Sequence, residues 1–279
     1  MNKISSSIRC VIIICAFVIT GILSTGCGSV PLTGRRQVLL VSDKEVFEAG
    51  LTQYNEYIRG AELSSDSRST ALVKSVGSKL AQSTERYLKA NGFESELDNL
   101  EWEFNLVKSN EVNAFCMPGG KIVVYEGLLS VAQTEAELAT VIGHEIGHAV
   151  AKHSNERMSQ QIMTQYGMAI LSQALSQKSA AVQTVATSVF GLGAQVGIML
   201  PYSRKHEYEA DYMGIVFMEI AGYDSASALD FWTKMAAGGS NANDFLSTHP
   251  SDSKRIAEIK RRIPEAQAIA VSMKNYFFF

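Results

Sequence analysis

His144-Glu145-Ile146-Gly147-His148 decides how the rest of the sequence is interpreted, because it places two imidazoles and a carboxylate on one predicted helix. A helix turns about 100° per residue, so residues four apart share a face and both histidines reach one metal ion. Glu145 lies close enough to accept a proton from a water at that ion. In a chain with only 5 histidines, chance is a poor explanation. The pattern predicts a catalytic metal site with Glu145 as general base.

A second acidic segment supplies the ligand that two histidines leave missing. A catalytic zinc site usually takes three protein ligands and leaves the fourth position to water. Glu207-Tyr208-Glu209-Ala210-Asp211 puts Glu207 and Asp211 one helical turn apart on a shared face. We expect Glu207 to bind the metal and Asp211 to accept the free ring N–H of a liganding histidine. Alone, such an acidic face is more often a solvated surface.

The surrounding pattern predicts a mainly helical α+β fold with a small sheet. Ser42 with Glu45, and Thr134 with Glu137, form capping boxes that open two of the helices. Helices are expected at 42–60, 71–90, 134–153, 202–221, 225–237 and 251–263, and strands at 102–107 and 121–125. The apolar run at 182–200 is interpreted as part of a packed helical hairpin rather than a membrane span, because glutamines and glycines interrupt it.

The first 26 residues have the pattern of a bacterial secretion signal. Lys3 and Arg9 precede an apolar run of about 14 residues, shorter than the roughly 20 that span a bilayer, so a permanent membrane anchor is the weaker alternative. Small residues before Cys27 resemble the lipoprotein signal, which predicts a lipid on Cys27 and a tether at 27–41. Gly28 after Cys27 favours the outer membrane, with the protein facing the periplasm.

Charge and cysteine content exclude some classes of function. With 25 basic and 28 acidic residues and no long run of either sign, nucleic-acid binding is not indicated. After removal of the signal and lipidation of Cys27, Cys116 is the only thiol left, so no internal disulfide is expected. Its apolar neighbours favour a buried, inert thiol over a redox-active one.

The histidine motif followed by E-x-x-x-D resembles the gluzincin metalloproteases. The resemblance is to the family of HtpX and the CAAX prenyl protease, and within it to the soluble periplasmic members and the mitochondrial Oma-type protease. It extends from Pro31-Leu32-Thr33-Gly34-Arg35 to about Arg262. The matching segments in between are Val112-Asn113-Ala114-Phe115, Gly119-Gly120, Tyr202-Ser203-Arg204 and Thr248-His249-Pro250.

This resemblance implies a zinc endopeptidase with one Zn²⁺ per chain and protein or peptide substrates, namely misfolded or unassembled envelope proteins. It also implies a sheet whose edge strand lies beside the zinc and binds the substrate backbone. That strand would consist of Lys121, Ile122, Val123, Val124 and Tyr125, which the residues alone would mark as structural.

Two further residues match family positions near the active site and are candidate catalytic residues. His249 would approach the zinc, either stabilising the oxyanion or occupying the water position as a self-inhibitory ligand, unless it is an ordinary loop histidine. Arg255 would bind a substrate carbonyl or pair with Glu258. His153 lies nine residues after His144 and should face away from the metal on a continuous helix, in a structural role. His206 is assigned no role.

The expected organisation is therefore a signal peptide at 1–26, a tether at 27–41, a metallopeptidase domain at 42–265 and a C-terminal tail at 266–279. The alternative function is a zinc-binding lipoprotein that acts as an assembly factor or holdase. Glu145 argues against it, because a purely structural site needs no base beside the metal. An adhesion or interaction protein at the membrane surface would leave both motifs unexplained.

Overall fold

A computed structural model of the chain describes residues 27–162, 203–237, 243–249 and 253–277. The expected signal peptide at 1–26 and the apolar run at 182–200 lie outside the described residues. Within the ranges just given, no helix combines the length and apolar character that crossing a membrane requires.

Helices make up most of the described chain, and a small sheet accompanies them, so the expected mainly helical α+β class is confirmed. Residues 153–162 are also helical, and two 3₁₀ turns cover Glu94–Leu97 and Glu126–Ser130. The α-helices are α1 (Asp43–Gly60), α2 (Ser67–Ala90), α3 (Glu135–Val150), α4 (Arg204–Ala221), α5 (Ser227–Ala237), α6 (Asn243–Thr248) and α7 (Ser253–Phe277).

Local capping chemistry explains where several helices begin and end. Both expected capping boxes are present, because the side chains of Ser42 and Thr134 accept from the backbone N–H three residues on and the glutamates there reach back. Ser203 caps α4 in the same way through its hydroxyl. Gly222 ends α4 with a φ of 84°, a left-handed conformation that glycine adopts without steric cost.

The three-stranded sheet has a different order from the one expected. Its strands are β3 (Glu103–Val107), β4 (Ala114–Met117) and β5 (Lys121–Tyr125), arranged as β3-β5-β4. β5 lies parallel to β3 and antiparallel to β4, and all five of its residues are buried. The prediction that β5 is an edge strand is therefore wrong, because the Gly119-Gly120 turn folds β4 back along its outer side and leaves β4 at the edge.

The expected tether is folded onto the domain. β1 (Cys27–Ser29) pairs antiparallel with β2 (Arg36–Val38), and the turn between them contains Leu32 and Gly34 with φ of 70° and 65°. Val30 within this turn is completely buried. The segment is thus part of the packed structure, not a loose linker.

The C-terminal helix also continues past its expected end. α7 runs through Pro264 to Phe277, where the sequence predicted a helix ending at Ile263 and a tail from 266. Ala266, Ala270 and Met273 are buried, and their spacing puts them on one face of the helix. Packing of this face outweighs the backbone hydrogen bond that proline removes.

Helices α3 and α4 touch backbone to backbone at the centre of the molecule. A Cβ atom added to Gly147 would lie 2.7 Å from the carbonyl oxygen of Ala210, and one on Gly214 would lie 2.9 Å from the backbone nitrogen of His144. Only glycine permits this approach. The contact sets the histidine motif directly against the acidic segment of α4.

Candidate metal centre

Four side chains from three parts of the chain converge at this helix contact. One nitrogen or oxygen atom from each of His144, His148, Glu207 and His249 lies within 4.8 Å of the others, and all four residues are buried. Nε2 of His144 and Nε2 of His148 are 3.0 Å apart. Glu207 Oε2 is 3.5 Å from His144 Nε2, and Glu207 Oε1 is 3.4 Å from His148 Nε2.

These distances fit a tetrahedral zinc ion. Bonds of about 2.0–2.2 Å place neighbouring ligand atoms about 3.3 Å apart around Zn²⁺. His249 Nδ1 fits the same figure, since it lies 3.2 Å from His144 Nε2 and 3.3 Å from Glu207 Oε1. Imidazole nitrogen and carboxylate oxygen are also the donors that zinc accepts. The site can therefore hold one zinc ion through three or four side chains.

Asp211 and Arg255 support the first histidine from behind. Asp211 Oδ1 lies 2.8 Å from His144 Nδ1, the contact expected of a carboxylate that fixes a ligand's tautomer. Arg255 is fully buried, donates to both oxygens of Asp211 at 2.5 and 2.8 Å, and lies 2.9 Å from Glu207 Oε2. Its guanidinium also stacks over Trp232, 3.4 Å from the ring centre.

The expected pairing of Arg255 with Glu258 is wrong, because Glu258 pairs with Arg261 and Arg262. The expected contact with a substrate carbonyl stays a prediction, and in this structure Arg255 is fully buried with two carboxylate partners. Arg255 holds the metal-site carboxylates in place, and it cancels part of their buried negative charge.

Burial and neighbouring charges shift the pKa values of three of the converging groups, His144, His148 and Glu207. Burial alone would lower the pKa of His144, but Asp211 and Glu207 raise it to about 9, so a metal arriving there displaces a proton. Burial and the neighbouring His144 hold the pKa of His148 well below its usual value. Burial would raise the pKa of Glu207, but His249 and Arg255 keep it well below the usual range, and Glu207 is a carboxylate.

Glu145 lies beside the cluster without joining it. It is 1% exposed, and its Oε1 lies 3.4 Å from His249 Nε2. Burial raises its pKa, while His249 and His144 and a hydrogen bond from the Cys116 backbone act in the opposite direction. A buried carboxylate with a raised pKa beside a metal site is suited to accept and return a proton.

Strand β4, at the edge of the three-stranded sheet, has its outer side toward this carboxylate. Tyr125 N–H donates to the carbonyl of Asn113, so alternate residues from Asn113 onward face β5. The backbone groups of Ala114 and Cys116 then point away from the sheet, and Cys116 reaches Glu145. Val112-Asn113-Ala114-Phe115, noted in the sequence for its resemblance alone, thus leads into the strand at the site.

A cavity continues from the end of β4 along the C-terminal end of α3. Its walls include His148, Cys116 and Lys152, and Lys152 forms ion pairs with two acidic residues of the rim. The apolar part of its lining comes from α1, the end of β4 with the turn after it, α3, and the segment before β3. It consists of Val46, Phe47, Leu100, Met117, Pro118, Ala149 and Val150.

Cys116 is buried, and its Sγ donates to the Met117 carbonyl at 3.2 Å. Burial raises the pKa of the thiol well above its usual value. The prediction of a buried cysteine is confirmed, and its low reactivity stays a prediction that the raised pKa supports.

A group of polar side chains behind His148 was not predicted from the sequence. His153 does not face away, because α3 ends at Val150 and Lys152 adopts a φ of 54° before the chain becomes helical again. Its Nδ1 lies 2.8 Å from His148 Nδ1. His206 also has a partner, since its Nε2 lies 3.0 Å from Glu156. The extrapolation failed because it assumed one continuous helix.

Comparison with known proteins identifies the relatives of this chain. The sequence profile of peptidase family M48 matches residues 53–263, more than half of the chain. Mitochondrial metalloendopeptidase OMA1 from Arabidopsis thaliana is 41% identical over 177 residues, which are 63% of this chain and 34% of the relative. The protein of the same name from Schizosaccharomyces pombe is 37% identical over 183 residues, 62% of this chain and 50% of the relative.

A bacterial relative matches more of this chain at lower identity. Beta-barrel assembly-enhancing protease from Escherichia coli is 27% identical over 236 residues, which cover 81% of this chain and 45% of that protein. The matched region thus spans between a third and about half of these relatives.

Proposed function

The chain belongs to peptidase family M48, and on that premise we propose that it is a zinc-dependent endopeptidase. The observation that carries the proposal is the convergence of His144, His148 and Glu207 on one point, with Glu145 beside it. We assign the three residues as zinc ligands, Glu145 as general base and Asp211 as the residue that orients His144.

The residues divide the reaction between them. When bound, zinc supplies Lewis acidity that polarises a peptide carbonyl and makes water more acidic. Glu145 accepts the proton of the attacking water and then delivers it to the leaving amine, a role for which its raised pKa suits it. Asp211 keeps the Nδ1 proton on His144, so that Nε2 remains the metal-binding atom.

The substrate backbone is proposed to add to β4. The outward N–H groups of Ala114 and Cys116 already donate to Asn113 Oδ1 and to Glu145, so the carbonyls of these two residues would accept main-chain hydrogen bonds from the substrate. Such bonds do not depend on the substrate's side chains. The cavity beyond β4 would take one apolar side chain of the substrate, since Phe47 and Met117 line it. This arrangement favours extended, unfolded segments over folded proteins.

His249 is proposed to be a self-inhibitory fourth ligand. Its Nδ1 stands at zinc-ligand spacing from two of the other donors, in the place that the attacking water needs. His249→Ala should then raise peptidase activity and leave zinc bound. A lower activity at unchanged zinc content would favour oxyanion stabilisation instead, and unchanged kinetics and zinc affinity would eliminate both roles.

The proposed setting is the bacterial cell envelope, with residues 1–26 as signal peptide and a lipid on Cys27 facing the periplasm. The support is the sequence pattern around Cys27 and the bacterial relative named for β-barrel assembly. Misfolded or unassembled envelope proteins are the proposed substrates. Metabolic labelling with a radioactive fatty acid should mark the wild type and not Cys27→Ser.

The second candidate function is a zinc-binding assembly factor or holdase with little peptidase activity. The contact between His249 and His144 favours this candidate, because a histidine in the position of the attacking water would close the site to substrate. Suppression of the aggregation of an unfolded protein, equal in the wild type and in Glu145→Gln, would identify it.

The deciding experiment compares cleavage of casein and of an unfolded protein by the full chain and by Glu145→Gln. Loss of the base should reduce the rate by about 10²–10⁴-fold, while the zinc content of the two proteins stays equal. Activity in neither, with zinc bound to both, would point to a latent site and to His249→Ala as the next protein. Absence of zinc from both would refute the proposal.

A further inference from the structure

A chain of polar contacts leads away from His148 on the side opposite to the metal cluster. His148 Nδ1 lies 2.8 Å from His153 Nδ1, and His153 Nε2 lies 3.0 Å from Glu209 Oε2. His153 is fully buried and Glu209 is 7% exposed. None of these contacts involves the proposed general base or the substrate strand.

The chemistry of the groups fixes the direction of these hydrogen bonds. Glu209 accepts from Thr33 at one oxygen and forms an ion pair with Arg35 at the other, 2.6 Å away, so it is a carboxylate that only accepts. His153 must donate through Nε2, which leaves its Nδ1 as an acceptor. His148 therefore donates through Nδ1, and its Nε2 carries the lone pair that binds a metal, which is the tautomer that the site requires.

The far end of the chain of contacts is held by the segment before α1. Arg35 donates to Glu209 Oε2 at 2.6 Å, and its two terminal nitrogens contact both oxygens of Glu156 at 3.0 and 2.7 Å. Thr33 donates to the other oxygen of Glu209. Such a fork onto two carboxylates is a contact that arginine makes and lysine does not. The β1–β2 turn thereby locks Glu209.

The two liganding histidines then have parallel supports. His144 is held by Asp211, which Arg255 clamps. His148 is held by His153, and His153 in turn contacts Glu209, to which Arg35 donates. Arg35 precedes the 53–263 region matched by the family profile.

We propose that His153, Glu209 and Arg35 are positioning residues that hold the His148 imidazole in its metal-binding orientation. The folded segment at 31–36 is thereby part of the metal-binding apparatus. This inference rests on the zinc site proposed above and adds residues that no part of that proposal uses.

The test measures zinc affinity of the full chain by competition with a chromophoric chelator, together with the visible spectrum of the Co²⁺-loaded protein. Loss of a partner behind a liganding histidine typically weakens metal binding by about 10–100-fold, and His153→Leu should do so and change the cobalt spectrum. His153→Asn keeps an acceptor near Nδ1 and should recover much of the affinity. A purely structural role would not change the cobalt spectrum of the folded variant or produce this recovery.

The N-terminal part of the inference has a matched pair of variants. Arg35→Gln should weaken zinc binding, whereas Arg36→Gln should not, because Arg36 is exposed on the neighbouring position. Equal zinc affinity of Arg35→Gln and wild type would remove the 31–36 segment from the apparatus. Wild-type zinc affinity and an unchanged cobalt spectrum in both folded His153→Leu and Arg35→Gln would overturn the whole inference. A wild type that binds no zinc would instead refute the metal site itself.

Discussion

Arg255 illustrates how one buried residue can compensate the charges of a whole site. Its guanidinium is enclosed between Asp211, Glu207 and the face of Trp232. Removing one partner of a buried ion pair leaves an uncompensated charge, which costs more than the pair contributes when intact.

We therefore expect Arg255→Leu to lower the free energy of unfolding by about 3–5 kcal/mol. Urea denaturation followed by circular dichroism measures this change. Arg261→Gln is the matched control, because Arg261 lies on the same helix with its side chain 60% exposed. A loss in Arg255→Leu no larger than that in the control would show that Asp211 and Glu207 do not depend on this arginine.

Residue by residue, the sequence indicated those parts of the site that are encoded locally. The spacing of His144, Glu145 and His148 follows from one turn of helix, so no distant information was needed. His153 and Arg35 were missed for the opposite reason. Their partners depend on the break after Val150 and on docking of the β1–β2 turn, neither of which a periodicity describes.

At the level of elements, the glycine contact between α3 and α4 determines the metal geometry. We expect Gly147→Ala to lower the free energy of unfolding by about 1–3 kcal/mol, because its Cβ would meet the Ala210 carbonyl at 2.7 Å and a backbone atom cannot rotate away. Zinc affinity should fall with it, since Glu207 would move away from the histidines.

The control for this prediction is Gly60→Ala. Gly60 also lies in a helix, but nothing lies within 4 Å of an added Cβ. Urea denaturation and chelator competition should show no loss of stability or zinc affinity there. A stable Gly147→Ala variant with full zinc affinity would mean that α3 and α4 can separate without consequence.

The free edge of β4 yields a test that needs no mutation. Peptide substrates with a single backbone N-methyl group should lose binding only at alternate positions, because successive N–H groups of a strand point in opposite directions. One lost hydrogen bond is worth about 0.5–1.5 kcal/mol, so KM should rise by roughly 2–12-fold at the sensitive positions. A uniform effect at every position would contradict strand addition.

Sheet order shows where prediction from sequence stops at this scale. The capping boxes at Ser42 and Thr134 fixed helix starts because both partners lie within four residues. The position of β5 depends on β3 and β4, which pair from both sides. A continuous apolar run such as Ile122 to Val124 is typical of a central strand. This run was the sequence feature that argued against an edge position for β5.

For the molecule as a whole, buried acidic groups make stability depend on pH. Burial would raise the pKa of Glu156, but hydrogen bonds from His206 and Arg35 lower it to about 2, against an ordinary value of 4.5. Ionised Glu156 therefore stabilises the fold above about pH 4.5, and this contribution is lost as the pH falls toward 2.

Between pH 6 and pH 3, we expect the free energy of unfolding of the zinc-free protein to fall less steeply in Glu156→Gln than in the wild type. The variant has no carboxylate at position 156 at any pH, so it has no such stabilising contribution to lose. Urea denaturation at each pH measures the slope. Glu48→Gln, which alters an exposed carboxylate, should follow the wild type. Parallel curves for all three proteins would assign no stabilising role to the Glu156 contacts.

The contact between α3 and α4 also has a kinetic consequence. His144 and His148 belong to one helix and Glu207 to the other, so an ion bound by all three cross-links segments that are distant along the chain. The ligands converge only after the helices have docked, so zinc would slow unfolding far more than it would speed folding. The lifetime of the folded protein would then be set by the rate of metal release, and adding a chelator would determine when unfolding begins.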